Sequence, residues 1–212
     1  MAMIDAHVME KVRNTLLAMK EPVKLIVFKS KFHESGELLE QLAHELSQAT
    51  SLISVEVKDY DSDKKAASEF GVTQPSTLFI AGKEKRFVKV LGLPSGHEFF
   101  PFLQTIIDVS RGYTDLPTEI ERKAKAIDFP VTIKVFVTPT CPYCPGAVRL
   151  AHGLAIINPN IHGEMVEAME FPELSQKYEV SGVPKTVIND IVDLVGAYPA
   201  DIVLKKIMSL KI

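Results

Sequence analysis

The chain has 212 residues, 46% of them apolar, with a formal net charge of −3 and a pI near 6.1. That length suits one large domain or two small ones. The lack of a basic excess argues against nucleic acid as a partner, and no apolar run approaches the ~18–20 residues that span a bilayer. The opening MAMIDAHVMEKVRNTLL mixes Asp5, Glu10, Lys11 and Arg13 with apolar residues, so it predicts an amphipathic helix and not a signal peptide. A cytoplasmic protein is expected, with no membrane association. There, two cysteines are too few for a disulfide framework and would ordinarily be kept reduced.

In chain order, KLIVFKS (24–30), bounded by Pro22, predicts a buried strand. GELLEQLAHELSQA predicts a helix, with Leu38, Leu39, Leu42, Ala43 and Leu46 at helical spacing. LISVEVKDY (52–60) alternates like a strand, and Asp61 is placed to cap a short helix ending at Gly71. Pro75 opens the strand STLFIAG, and AGKEK reads as a hairpin-like turn into RFVKVLG (86–92). Ser95 and Glu98 have capping-box spacing ahead of HEFFPFLQTIIDVS, which leaves His97 a structural place and makes the helix's leucines and phenylalanines core. Residues 110–130, charged and bounded by Pro117 and Pro130, predict a linker with one short helix.

The second half repeats this order: strand VTIKVFV (131–137), helix AVRLAHGLAII, strand IHGEMVEAM (161–169), helix FPELSQKYEV, strand KTVIND after Pro184, hairpin partner IVDLVGA, and helix ADIVLKKIMSL. Phe28 and Phe136 are 108 positions apart, Pro75 and Pro184 are 109 apart, and Gly92 and Gly196 each follow the last strand of their half. The reading is α/β: two units of order βαβαββα, with mixed central sheets flanked by helices, over residues 1–114 and 115–212.

Both cysteines, Cys141 and Cys144, fall in TPTCPYCPGAVRLA (138–151). Cys141 follows a predicted strand, and Pro142 is suited to a first helical position. A helix N-terminus offers free N–H groups and a positive dipole end, both of which stabilise a thiolate. Lowering a thiol pKa from about 8.5 to about 7 raises the thiolate fraction at pH 7 from roughly 3% to roughly half. Cys144, one turn on, is placed to attack a sulfur bonded to Cys141, so the pair reads as nucleophile and resolving thiol for exchange through a mixed disulfide. The competing readings are a structural disulfide across a short, reducible loop, inert cysteines, and a zinc site recruiting His152 and His162, whose spacing matches no zinc pattern. Neither GKEK nor GLPSG has the flanks of a phosphate loop. No bound cofactor is expected beyond a redox-active Cys141–Cys144 disulfide, and electrons must come from a separate reductase.

CPYC after a strand, with Val183–Pro184 about forty residues later, resembles the thioredoxin/glutaredoxin superfamily, CPYC being the glutaredoxin version of the motif. The tandem repeat, together with FVTPTCPYCP, GLPSGHEF and GAYP, resembles the protein disulfide oxidoreductases of archaea and some thermophilic bacteria. The resemblance implies two thioredoxin-like units, with Pro184 in cis against the cysteine pair. It also implies that Val183 offers its backbone to an extended substrate segment, beside Pro142 and Tyr143. Pro75, preceded by Gln74, would be the counterpart of Pro184. The implied activity is that of a dithiol–disulfide oxidoreductase acting on disulfide-containing proteins, with a thioredoxin-reductase-like flavoprotein as electron donor.

Two features depart from the pattern. HESG places His33 and Gly36 where the cysteines would be in the first unit. That unit cannot exchange dithiols, no second pair remains to couple with for isomerisation, and the remnant is expected to be a solvated turn unless His33 assists as a base or binds something. Val135 stands where thioredoxins keep a buried carboxylate; Glu167, on the neighbouring strand, is a candidate substitute unless it is merely solvated. Lys185 is a candidate to favour a thiolate unless it is a surface residue. The missing first pair equally resembles the N-terminal part of the alkyl hydroperoxide reductase flavoprotein, making a dedicated carrier to a peroxiredoxin the alternative role. An alternative of another class is a module binding copper(I) or an iron–sulfur cluster.

Overall fold

The β-branched runs of the two halves pair into a single sheet. In the computed structural model, which describes residues 2–83 and 87–211 and the backbone alone of Phe87, eight strands lie in the order β2-β1-β3-β4-β6-β5-β7-β8. They are β1 (Val23–Lys29), β2 (Ile53–Asp59), β3 (Thr77–Ala81), β4 (Phe87–Leu91), β5 (Val131–Val137), β6 (Ile161–Glu167), β7 (Lys185–Ile188) and β8 (Val192–Val195). Part of the expected AGKEK turn and the start of RFVKVLG lie outside the described residues. The halves join where β4 runs parallel to β6, with Lys89 opposite Glu164 and Leu91 opposite Val166. Lys89 and Glu164 also form an ion pair at 2.9 Å across that seam.

The helices are α1 (Ala6–Leu16), α2 (Ser35–Ala49), α3 (Lys64–Glu69), α4 (Phe99–Arg111), α5 (Thr118–Lys125), α6 (Cys144–Ile157), α7 (Pro172–Lys177) and α8 (Ala200–Met208), with a 3₁₀ turn at Gly96–Glu98. Apolar residues of α1, α2, α4, α5, α6 and α8 share one large core on one sheet face. On the other face Ala66 and Ala67 of α3 pack on Phe28 and Phe79, and α7 with Phe171 packs on Phe136 and Val166. The sheet is thus covered on both sides, which suits its near-continuous apolar strands.

Strand register corrects the repeat. Phe28 faces Thr77 and Phe136 faces Lys185, so both landmarks are 108 apart and no residue of slippage accumulates. The positional counterpart of Pro184 is therefore Ser76, and Pro75 corresponds to Val183. The carbonyl of Ser76 accepts the Gly92 N–H at 3.0 Å, as that of Pro184 accepts the Gly196 N–H at 2.7 Å. Among the described residues the Val183–Pro184 peptide is cis, whereas Ser76 takes a positive φ of 56°.

Three local expectations also change. Asp63, not Asp61, caps α3, its carboxylate accepting the Ala66 N–H at 3.0 Å. Asp61 instead accepts the Ser30 hydroxyl. Residues 110–130 are not a free linker: Ile120, Ala124 and Ile127 are buried, and the buried Asn158 side chain donates to the carbonyls of Ala124 (2.7 Å) and Ile127 (2.8 Å). Ser95 makes no side-chain cap, and Glu98 closes no capping box.

Candidate active site

β5 delivers the chain to the carboxyl edge of the sheet, and TPT (138–140) turns it so that the Cys141 N–H donates to the Thr138 carbonyl at 3.1 Å. α6 begins at Cys144, two residues later than Pro142 suggested, and the proline of its first turn is Pro145. Cys141 and Cys144 form a disulfide with Cα atoms 5.5 Å apart. Cys141 is 8% exposed and Cys144 is fully buried, so the outer sulfur is the one a partner reaches first. The Cys144 N–H donates to the Cys141 sulfur at 3.1 Å. This is an orphan donor of a helix N-terminus aimed at the atom that becomes anionic on reduction.

Of the residues expected around the pair, Tyr143 is displayed to solvent, Val183 is half-buried, and Pro184 is buried one position beyond the Phe136–Lys185 pairing, beside the end of β5. Pro142 lies exposed in the turn between the cysteines.

Glu167 is buried rather than solvated. It ends β6 opposite Val137, one oxygen accepts the Glu170 N–H at 2.6 Å, and the other has no partner. Burial raises its pKa above the usual carboxylate range. Lys185 is buried as well, and its ammonium is held by Asp193 at 2.6 Å and by the Glu179 carbonyl at 3.3 Å.

The residue that sequence reasoning placed wrongly is Glu98. The 3₁₀ turn carrying it docks against the segment before Cys141, the His97 N–H donating to the Pro139 carbonyl at 2.9 Å, and it packs on α6. Glu98 is 2% exposed, and its Oε1 has no hydrogen-bond partner. Desolvation alone pushes its pKa up to about 7. Besides the capping-box spacing from Ser95, which pointed elsewhere, its sequence signal was the GHEF within the GLPSGHEF resemblance. Gly96 permits the docking: its φ is +58°, and an added Cβ would collide with the Pro139 carbonyl. Gly96→Ala is expected to cost about 2 kcal/mol through positive-φ strain and this clash. Thermal denaturation beside a Gly71→Ala control, at an open positive-φ position, separates the clash from the strain.

The first unit's remnant is not a solvated turn. His33 Nδ1 lies 2.8 Å from the Ser76 hydroxyl and 3.0 Å from that of Ser35, and Nε2 lies 3.3 Å from the Glu170 carbonyl. Its ring stacks on Phe171 at 5.0 Å and 17°. His152 is buried where α6 meets α4, its pKa lowered to about 3 mainly by desolvation, and His162 lies near the opposite end of β6 from Glu167. The structure brings neither to the cysteines.

A thioredoxin domain family model matches residues 131–209. The alkyl hydroperoxide reductase AhpF of Staphylococcus epidermidis is 26% identical over 187 residues, 88% of this chain but 34% of its own length, so the chain spans about a third of that relative. The solved NTD_N/C domain of AhpF from Enterococcus faecalis (TM-score 0.87, 21% identity, covering 95% of this chain and 98% of that one) shows the fold alone. A protein disulfide oxidoreductase from Aeropyrum pernix K1 is 31% identical, covering 97% of this chain and 93% of its own, with a TM-score of 0.89. With its sheet built from two thioredoxin-like halves and one Cys-x-x-Cys disulfide, the chain belongs to the protein disulfide oxidoreductase family.

Proposed function

We propose that the chain reduces protein disulfides through Cys141 and Cys144. The Cys141 thiolate attacks one sulfur of the client disulfide, forming a mixed disulfide and releasing the other client sulfur as a thiolate that takes up a proton. Cys144, deprotonated, then attacks the Cys141 sulfur, displaces the second client thiolate and closes the Cys141–Cys144 disulfide. Two electrons pass to the client. The observation that supports this most is the pairing of an accessible sulfur with a buried one at a helix N-terminus, with the Cys144 N–H directed at the Cys141 sulfur. Glu98 is the proposed proton acceptor for Cys144: its turn packs on α6, which begins at Cys144, and a buried carboxyl with a pKa near 7 exchanges protons at neutral pH. Val183 and Pro184 shape the groove for the client segment. A flavoprotein of the thioredoxin-reductase type is the proposed electron donor, in the cytoplasm. Among the described residues, no helix is long and apolar enough to cross a membrane.

The second reading, a dedicated carrier to a peroxiredoxin, is favoured by the AhpF relatives and by the absence of cysteine at His33 and Gly36. Cys144→Ser should trap client adducts on Cys141. Many unrelated clients captured from the source cell would support the general reductase, and one dominant peroxiredoxin the carrier. No reductant-sensitive adduct above a folded double-serine control would sink both, leaving the metal-binding module to be tested by metal analysis.

A further inference from the structure

β1, β4, β6 and β5 run in the same direction, since β1 and β4 are each antiparallel to β3 and β6 is parallel to both β4 and β5. Their carboxyl ends therefore open on one edge of the sheet. The HESG loop after β1 and the CPYC loop after β5 lie four strand spacings apart, about 19 Å. Three large side chains stand out along this edge: Phe32 is 81% exposed, Met169 is 75% and Tyr143 is 71%.

The loops that display them are anchored. The Ser30 hydroxyl bonds the Asp61 carboxylate and accepts the Phe32 N–H at 3.1 Å. His33, next to Phe32, reaches the carbonyl of Glu170, next to Met169, and stacks on Phe171. The Ala168 N–H donates to the Val137 carbonyl at 2.9 Å, and the Cys141 N–H to Thr138, so the chain of contacts ends at the reactive cysteine. A loop without cysteines is thus held in a fixed framework that leaves the Phe32 ring largely exposed.

We propose that Phe32 and Met169, on the same sheet edge as Tyr143, form a docking strip for a folded client protein. An apolar surface beside the client's disulfide would settle on the strip as Cys141 attacks. The proposal rests on the exchange reading above and gives the first unit a share in client recognition. Aromatic and Met side chains are enriched at such interfaces, and a strip of this length suits a protein face of standard size, not a small disulfide that reaches Cys141 alone.

The test compares pre-reduced wild type with Phe32→Ser/Met169→Ser in single-turnover reduction of insulin and of 5,5′-dithiobis(2-nitrobenzoate), with circular dichroism to verify folding. The double variant should lose about tenfold or more in second-order rate with insulin, the size of one good anchor, and stay within about twofold with the small disulfide. An unchanged insulin rate overturns the proposal, as does an equal fall with both substrates. A fall confined to re-reduction by the flavoprotein would give the strip to the donor, and a dimer lost on substitution would give it to a second copy; either overturns the client assignment. Wild type inactive on both disulfides would instead remove the exchange reading itself.

Discussion

Cys141→Ser should abolish reduction of protein disulfides to the uncatalysed level, whereas Cys144→Ser should keep the first attack and lose turnover. The asymmetry follows from burial: Cys141 offers a solvent-facing edge and Cys144 offers none. A serine at 141 has no thiolate to supply at neutral pH, so no mixed disulfide forms. A serine at 144 leaves the outer thiolate and the helix N-terminus in place, but nothing nearby displaces the bound client. Rapid-mixing mass spectrometry should show one client adduct per chain for Cys144→Ser and none for Cys141→Ser. Turnover retained by Cys141→Ser, or adducts on Cys144 in that variant, would reverse the assignment of nucleophile and resolving thiol.

Much of this was legible in the sequence, and what was not has common physical causes. The β-branched runs, the helix patterning and the CPYC spacing are local signals, and they place β1, β5 and the cysteine pair correctly. Pro75 failed as a landmark because its alignment rested on residue type, whereas the sheet is set by hydrogen-bond register, which puts Ser76 opposite Gly92. Ser76 reaches that place with a positive φ that no periodicity announces. The His33–Phe171 stack joins residues far apart in sequence, so HESG looked like an unsupported turn. Glu98 carried a local pattern that pointed elsewhere: three residues after Ser95 it matched a capping box, but its environment is decided by Pro139 and α6 from the other half. Lys185 and Glu167 share the same difficulty, since burial is a tertiary property and charged residues are rarely buried without a partner.

Glu98→Gln carries the second large effect, and it separates two consequences of one buried carboxyl. Its pKa in the folded chain, about 7, lies above the ordinary value of 4.5 because burial disfavours the charge. The folded state therefore holds a proton that the unfolded state has released. Stability from this group is fully present below pH 4.5 and is lost as pH rises through about 7. The loss amounts to about 3 kcal/mol. The neutral amide does not titrate, so the stability of Glu98→Gln relative to wild type should rise by about that much between pH 4.5 and pH 8, whatever constant cost the substitution brings. Taking the difference matters because His152, its pKa lowered from 6.5 to about 3, contributes in the opposite sense over part of the same range: its stabilisation is present above pH 6.5 and lost as pH falls. Denaturant titrations of both proteins across that range check it. Catalysis should move the other way. Without the carboxylate to take the Cys144 proton, resolution of the mixed disulfide should slow about 10²-fold near pH 7, the lower end of general-base effects, while the first attack by Cys141 stays within a few-fold. If resolution keeps its rate and pH profile in Glu98→Gln, the carboxyl only shapes the loop, and the proton leaves Cys144 by another route.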